Sequence, residues 1–367
     1  MLMVSTSYPR SAQDWRGRFI YDMARHVATL DGVRLSLWAP PGELPAAVSP
    51  AATVRESGWL QGMSSKGGIA QILRRRPLVG LLTGLRLIRH QWRVYRRAHA
   101  DVVHVNWMQN ALALGRSETP ALITVLGSDL RLLRLPGVRS AMRAVLRARR
   151  VILAPNAEWM VAALQQQFGD VARIVPVPFG VAGDWFEVTR GPRGPDVAEW
   201  LVVSRVTRDK LGDLPAWGEG LFGANRRLHL FGPMQDPLPL PDWVHYHGPT
   251  HATELRTTWF PRATGLITLS RHDEGRPQVM LEAMASGVPV VASDLAAHRD
   301  FVRQGETGYV VGSRGEFVAA LHRLERSDEN ARIGRAARTW ARGSIGTWDD
   351  CARRYLSLYR QLVEIAT

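Results

Sequence analysis

Two glutamates, Glu274 and Glu282, are the residues whose types and spacing first suggest chemistry. Glu274 sits in a polar loop, SRHDEGRP, and Glu282 lies in the stretch after it, which reads as a helix over Gln278–Ser286. Pro277 stands at the mouth of that helix, where a missing N–H costs nothing, and Gly287 stops it. A helix N-terminus offers unpaired N–H groups and about half a positive charge, so it attracts an anion. An acid beside an anion is costly unless hydroxyl donors hydrogen-bond to it. Sugar or ribose hydroxyls would serve, so the residues suit a ligand carrying both hydroxyls and an anionic group.

The elements that must hold these residues follow from the apolar runs. Leu266–Leu269 (LITL) and Val288–Val291 (VPVV) read as short buried strands, which makes the segment strand–loop–helix–strand. An ordinary α/β crossover with two solvated glutamates would give the same pattern. The whole run EGRPQVMLEAMASGVPVVAS, however, resembles the donor-site signature of family 4 glycosyltransferases, retaining enzymes of the GT-B fold. That resemblance implies that Glu274 contacts hydroxyls of the transferred sugar and Glu282 the ribose of its nucleotide. It also implies that the backbone of Gly275, Arg276, Pro277 and Gln278 faces the sugar and diphosphate.

A second motif fits the same family. SRVTRDKLGD, residues 204–213, resembles its Gly-Arg, polar loop, Lys-Gly element, with Ser204 in place of the glycine and Leu211 inserted before Gly212. Arg205 and Lys210 keep the spacing of the pair that clamps the departing diphosphate. Fixed cations stabilise the charge that builds as the glycosidic bond breaks. No Asp-x-Asp motif occurs, so neither a metal nor any other cofactor is expected, the nucleotide-sugar being a substrate. A solvated charge pair is the plainer reading of Arg205 and Lys210.

The N-terminal half shows βαβ rhythm: a strand at Leu2–Ser5, a helix from about Phe19 to Thr29 and a strand at Leu35–Ala39. A parallel sheet with helices on both faces is expected. The first turn carries WRGRF rather than a glycine-rich fingerprint. The resemblance places Gly17 against the donor diphosphate, with Arg18 beside the acceptor; a plain turn glycine is the alternative. Further on, DVVHV (Asp101–Val105) and ALITVLGSD (Ala121–Asp129) resemble the family's Asp-hydrophobic-His strand and His-Gly-x-Asp turn. Leu126 stands where many members have a histidine, and Asn106 where a second is common, so the histidine role does not carry over. Asp129 matches the acid of that turn at a strand's C-terminal end, where open α/β sheets bind ligands. Acceptor contact and a helix-cap role both remain open for it.

The fold implied is α/β of GT-B type, two Rossmann-like domains facing a cleft. The expected divisions are an acceptor domain at residues 1–190, joined by a C-terminal helix at 347–367, and a donor domain at 191–346. The clearest boundary is GPRGP, Gly191–Pro195. The single cysteine, Cys351, excludes an internal disulfide framework. No run reaches the ~18 apolar residues of a spanning helix, and MLMVSTSYPR is too weakly apolar for a signal peptide.

Charge is uneven. Residues 1–190 hold 25 Lys+Arg against 12 Asp+Glu, which accounts for nearly all of the net charge of +14. A basic half attracts anionic headgroups, phosphorylated acceptors or nucleic acid. Nucleic acid is not expected as a partner, because it leaves the two glutamates unexplained. In the helix after Pro77, Leu81, Leu82, Leu85, Ile88 and Trp92 share one face, with arginines on the others. That face either packs on the core, leaving a solvated basic side, or meets an anionic membrane. The expected function is transfer of a sugar from a nucleotide-sugar to a hydroxyl of a glycan or lipid-linked acceptor, in bacterial surface polysaccharide or glycolipid assembly. The expected place is the cytoplasm, at the inner face of the membrane. The rival reading is a non-catalytic nucleotide-sugar or anionic-glycolipid binding protein on the same fold.

Overall fold

A computed structural model describes residues 1–11, 14–115, 117–191, 197–272 and 275–364. The chain forms two compact units, residues 1–179 with 348–367, and residues 180–347. The division falls upstream of the Gly191–Pro195 run, most of which lies outside the described residues. The reason is packing: Val181, Trp185, Phe186 and Val188 are buried in the second unit's core, so the chain joins that unit before the turn formers begin.

The first unit is built on a seven-stranded sheet: β1 (Leu2–Val4), β2 (Leu35–Trp38), β3 (Val48–Pro50), β4 (Val103–Asn106), β5 (Ala121–Val125), β6 (Val151–Pro155) and β7 (Arg173–Ile174). The order is β3-β2-β1-β4-β5-β6-β7, with every pairing parallel. Strand side chains alternate between faces. Leu2 and Val4 face one core and Met3 the other. The first core is closed by Leu60, Leu87, Val94, Met142, Leu146, Leu164 and Phe168 from helices on that face. Burying each such side chain contributes roughly 1.5–3 kcal/mol.

The opposite face is covered by the helix Arg18–Ala28 and the C-terminal helix Trp348–Glu364. The latter buries Trp348, Tyr355, Leu358, Tyr359 and Leu362. It also carries hydroxyls to the sheet. His104 Nδ1 lies 2.6 Å from Tyr359 Oη and its Nε2 lies 2.7 Å from Thr124 Oγ1, itself 3.2 Å from Tyr355 Oη. Burial pushes the His104 imidazole down to about 3, so it is neutral and both ring nitrogens are satisfied locally.

The helix Pro77–Arg97 departs from the core-facing reading. Leu78 is 79% exposed and Leu82 67%, and Leu81, Leu85, Ile88 and Trp92 are exposed as well. Its buried side is Leu87, His90, Gln91, Val94 and Tyr95, with Gln91 donating to Asn110 Oδ1 at 2.7 Å and Tyr95 to the Asn110 carbonyl at 3.0 Å. The buried side thus combines Leu87 and Val94 with a polar anchor to Asn110, and the leucine stripe faces outward.

The second unit has six strands: β8 (Ala198–Val203), β9 (Arg226–Phe231), β10 (Val244–Gly248), β11 (Gly265–Thr268), β12 (Val290–Ser293) and β13 (Gly308–Val311). Their order is β10-β9-β8-β11-β12-β13, again parallel throughout. Strand order reverses between β8 and β11 here, and between β1 and β4 in the first unit. In open α/β sheets the crevice beyond the strand ends at such a reversal is where ligands bind.

Candidate functional site

The candidate residues of the second unit gather at its reversal point. Arg205 follows β8, and the loop 270–277 follows β11, the strand hydrogen-bonded beside it. The chain runs from Arg205 into a short helical turn, Arg208–Leu211, capped by Thr207, whose Oγ1 accepts from the Lys210 N–H at 3.2 Å. Arg205 and Lys210 are both half-buried, and Arg205 Nη1 donates to Gln235 Oε1 at 3.4 Å.

Gly212 brings the two loops together. Its φ is +53°, and a Cβ there would land in the Leu269 carbonyl oxygen, so only glycine fits. The contact is then stitched by hydrogen bonds. Arg271 N–H donates to the Asp209 carbonyl at 2.8 Å, Asp213 N–H to the Leu269 carbonyl at 3.4 Å, and the Arg271 guanidinium pairs with the Asp213 carboxylate. Thus the loop bearing two cations is fixed to the root of the loop bearing the acid.

The helix behind the loop runs Gln278–Ala285, with Pro277 as its N-cap and Gly287, at φ +69°, just beyond its end. No side chain caps its first turn and no acid lies in it, so its N-terminal dipole is uncompensated by its own side chains. Glu282 is half-buried on its second turn. Glu274 lies outside the described residues.

Two residues assigned to the donor do something else with their side chains. Gln278 Nε2 donates to the Gly180 carbonyl at 2.7 Å, tying the helix start to the entering chain. The Arg276 side chain is 7% exposed and forms an ion pair with Asp300, itself 4% exposed. Their backbones, with Gly275, remain the part that can face a ligand. Sequence reading missed Asp300, since nothing local pairs it with a residue in another loop. It also missed Asp213 and Arg271. The Thr207-x-x-Lys210 pattern was a readable cap signal.

In the first unit, Gly17 sits at the reversal point after β1 as N-cap of the helix Arg18–Ala28, at φ +68°. A Cβ there would lie 2.7 Å from both Ser7 Oγ and Tyr8 N, so the close approach that demands glycine is already made by the chain's own backbone. Arg18 pairs with Asp22 at 3.3 Å, and its guanidinium lies 4.6 Å from the Tyr21 ring centre. Asp129 is buried and reaches back to accept from the Leu126 N–H at 2.8 Å, the cap geometry of the short helix Gly127–Leu132. Burial raises its carboxyl to about 7, against hydrogen bonds from the Leu126 and Met108 backbones that favour the anion. Across the reversal, at the end of β4, buried Asn106 donates to the Val4 carbonyl at 3.4 Å, and its Oδ1 has no hydrogen-bond partner. Next to it, Trp107 has φ +65°, alone among the described non-glycine residues in being positive. Its ring meets Phe19 edge-on at 5.6 Å. Strain of this kind persists where the surroundings over-determine a conformation.

Comparison with known proteins bears on these arrangements. Residues 221–327 match the family model described as Glycosyl transferases group 1. A D-inositol 3-phosphate glycosyltransferase from Gordonia bronchialis is 31% identical over 164 residues, which is 44% of this chain and 35% of that protein. The chain therefore spans about a third of that curated relative's length in the match. Among solved structures, sucrose-phosphate synthase from Thermosynechococcus elongatus superposes with a TM-score of 0.73 at 16% identity, covering 99% of both chains. An Anabaena protein crystallised with UDP and glucose gives 0.65 at 14% identity, covering 98% of this chain and 99% of its own. The fold is GT-B, with two parallel-sheet Rossmann-like domains, and the match to the group 1 glycosyltransferase model lies within the second unit.

Proposed function

We propose that the protein is a retaining glycosyltransferase of the family 4 type. It moves a hexosyl group from a nucleotide-sugar to a hydroxyl of a glycan or lipid-linked acceptor. The observation that carries this is the junction at the second sheet's reversal point. There a cation-bearing loop from β8 is fixed, through Gly212, to the root of the acid-bearing loop from β11, beside an uncapped helix start. In this reading Arg205, Lys210 and the helix N-terminus take up the charge that grows on the departing diphosphate, so no metal is required. Glu274 orients the sugar and Glu282 accepts from the ribose. The acceptor oxygen attacks the anomeric carbon on the face from which the diphosphate leaves. The anomeric carbon–oxygen bond to phosphate breaks, and the acceptor's proton passes to the departing phosphate oxygen.

Incubation with a panel of nucleotide-sugars tests this. The expected outcome is release of nucleoside diphosphate in the presence of a chelator, with the product's anomeric proton coupling matching the donor's. The rival reading, a non-catalytic binder, draws on Leu126 and Ser204, which depart from the family's motifs. It requires binding with no nucleotide release from any donor.

The acceptor side of the reading includes a membrane surface. The exposed leucines of Pro77–Arg97 are flanked by exposed Arg86, Arg89, Arg93 and Arg96, a pattern suited to anionic headgroups at the cytoplasmic face. No helix among the described residues is long and apolar enough to cross a membrane. Flotation with phosphatidylglycerol vesicles should recover the protein, and glutamines at Leu78, Leu82 and Leu85 should abolish recovery. Equal recovery of that variant would remove the surface from the proposal.

A further inference from the structure

We infer that Arg276 and Asp300 are positioning residues that clamp the acid-bearing loop of the second unit; this rests on the proposed function for its catalytic consequence. The loop is held at its entrance and at its exit. At the entrance, Ser270 is buried, its Oγ accepts from the His272 N–H at 3.0 Å, and its carbonyl accepts from Ser293 Oγ at 2.5 Å. Ser293 ends β12, and its own carbonyl is bonded to buried His298 Nδ1 at 2.8 Å, on the helical turn Ala296–Arg299. Asp300 is the residue that closes that turn. Its carboxylate then meets the Arg276 guanidinium at the loop's exit, and the guanidinium lies 5.8 Å from the Phe301 ring centre. The bonds link Ser270 through β12 and its following turn to Arg276, so the two described ends of the loop are tied to one another.

A buried ion pair is a poor way to gain stability, because desolvating both charges offsets most of their attraction. Apolar residues of similar volume would hold the core as well. What the pair adds is direction: a guanidinium and a carboxylate meet in a few geometries, whereas two apolar side chains slide. The residue so fixed is adjacent to Gly275 and next but one to Glu274, where a displacement of an ångström is enough to spoil a reaction. Arg276 therefore acts through the loop, its buried guanidinium being engaged by Asp300.

The test is the double substitution Arg276→Met with Asp300→Leu, because either single change strands a buried charge and risks unfolding. The double variant should fold with an unchanged or higher Tm. Amide hydrogen exchange in the segment 271–277 should quicken by about tenfold or more while the rest of the unit keeps its protection. With the best nucleotide-sugar, kcat should fall by roughly tenfold or more, and inhibition by the free nucleoside diphosphate should weaken by a clearly smaller factor. Unchanged exchange in the loop overturns the inference, as does parental kcat in a loosened loop. An equal loss of diphosphate affinity also overturns it, since the pair would then support the whole site. If the parent turns over no nucleotide-sugar, the proposed function fails, and the exchange result alone decides whether the pair is a clamp.

Discussion

At the reversal between β8 and β11 the second unit collects charge: Arg205, Lys210, the Arg271–Asp213 pair and an uncapped helix start. At the matching place between β1 and β4 the first unit sets neutral and aromatic groups, Asn106, Trp107 and Leu126, near Gly17, with Arg18 paired to Asp22, Arg16 to Asp14, and Asp129 buried in a cap. Both sheets have the same plan, so topology does not explain the difference. Chemistry does. On the proposed function, a departing diphosphate needs fixed cations, and fixed cations need anchors, the part we assign to Gly212 and the loop-to-loop bonds. A surface that orients a neutral hydroxyl needs shape rather than charge.

The sharpest way to break this contrast is to remove charge on each side. Lys210→Ala, Arg205→Ala and Glu274→Ala should each lower turnover about a hundredfold or more, the scale of losing one preorganised stabiliser. Asp129→Asn in the first unit should leave turnover near the parent's. Initial rates of nucleoside diphosphate release measure both. Comparable losses on the two sides would mean that the first unit also handles reacting charge.

The next largest effect should come from the anchor. Gly212→Ala places a methyl in the Leu269 carbonyl and demands a left-handed backbone from alanine. A stability loss of about 2–4 kcal/mol is expected, read as a fall in denaturant midpoint, together with loss of activity in the protein that remains folded. Gly17→Ala should cost a similar amount, because Ser7 and Tyr8 close on it in the same way. If Gly212→Ala kept full activity, the cation loop would not need its seat on β11.

A smaller effect isolates scaffold from site. Tyr359→Phe leaves His104 Nδ1 buried without its partner, which should cost about 1–3 kcal/mol and leave KM for donor unchanged. Thermal unfolding and donor kinetics on the same samples separate the two.

How much of this was legible beforehand depends on the range of the cause. Apolar runs such as LITL and VPVV announced their strands because a strand buried on both faces must be apolar throughout. The acid loop and the cation loop stood out by their resemblance to family motifs, and short helices at Gln278–Ala285 and Arg208–Leu211 lie where those motifs fall. The strand Val48–Pro50 was not, since a three-residue edge strand ending in proline carries no alternation to read. The outward turn of the leucines on Pro77–Arg97 was hidden as well. An amphipathic pattern says that two faces differ, not which one the core receives; here it received Leu87, Gln91, Val94 and Tyr95, with Gln91 bonded to Asn110. Arg276 looked like a ligand contact because it adjoins Gly275. Its partner Asp300 sits on the next strand's following turn, and only the folded sheet brings them together.

The smallest expected signal is a pH slope, and it again sets one carboxylate against another. Glu56 pairs with Arg97, Oε1 at 2.8 Å and Oε2 at 2.6 Å, and also accepts from the Thr53 N–H. These bonds outweigh its burial and hold its carboxyl down at about 2. Its contribution to stability is therefore present above the ordinary glutamate value and is lost as pH falls toward about 2. Asp129 runs the other way. Its folded value, about 7, lies above that of the unfolded chain, so the folded state binds the extra proton between about pH 4 and 7. Stability should fall as pH rises through that window, by some fraction of the ~1.4 kcal/mol per pH unit that one whole proton would give. The two windows barely overlap, so chemical denaturation at successive pH values can assign them. Glu56→Gln should flatten the limb below about pH 4.5, and Asp129→Asn the decline above about pH 4. A decline that survived Asp129→Asn would show that another group binds that proton and that the buried cap does not titrate in this window.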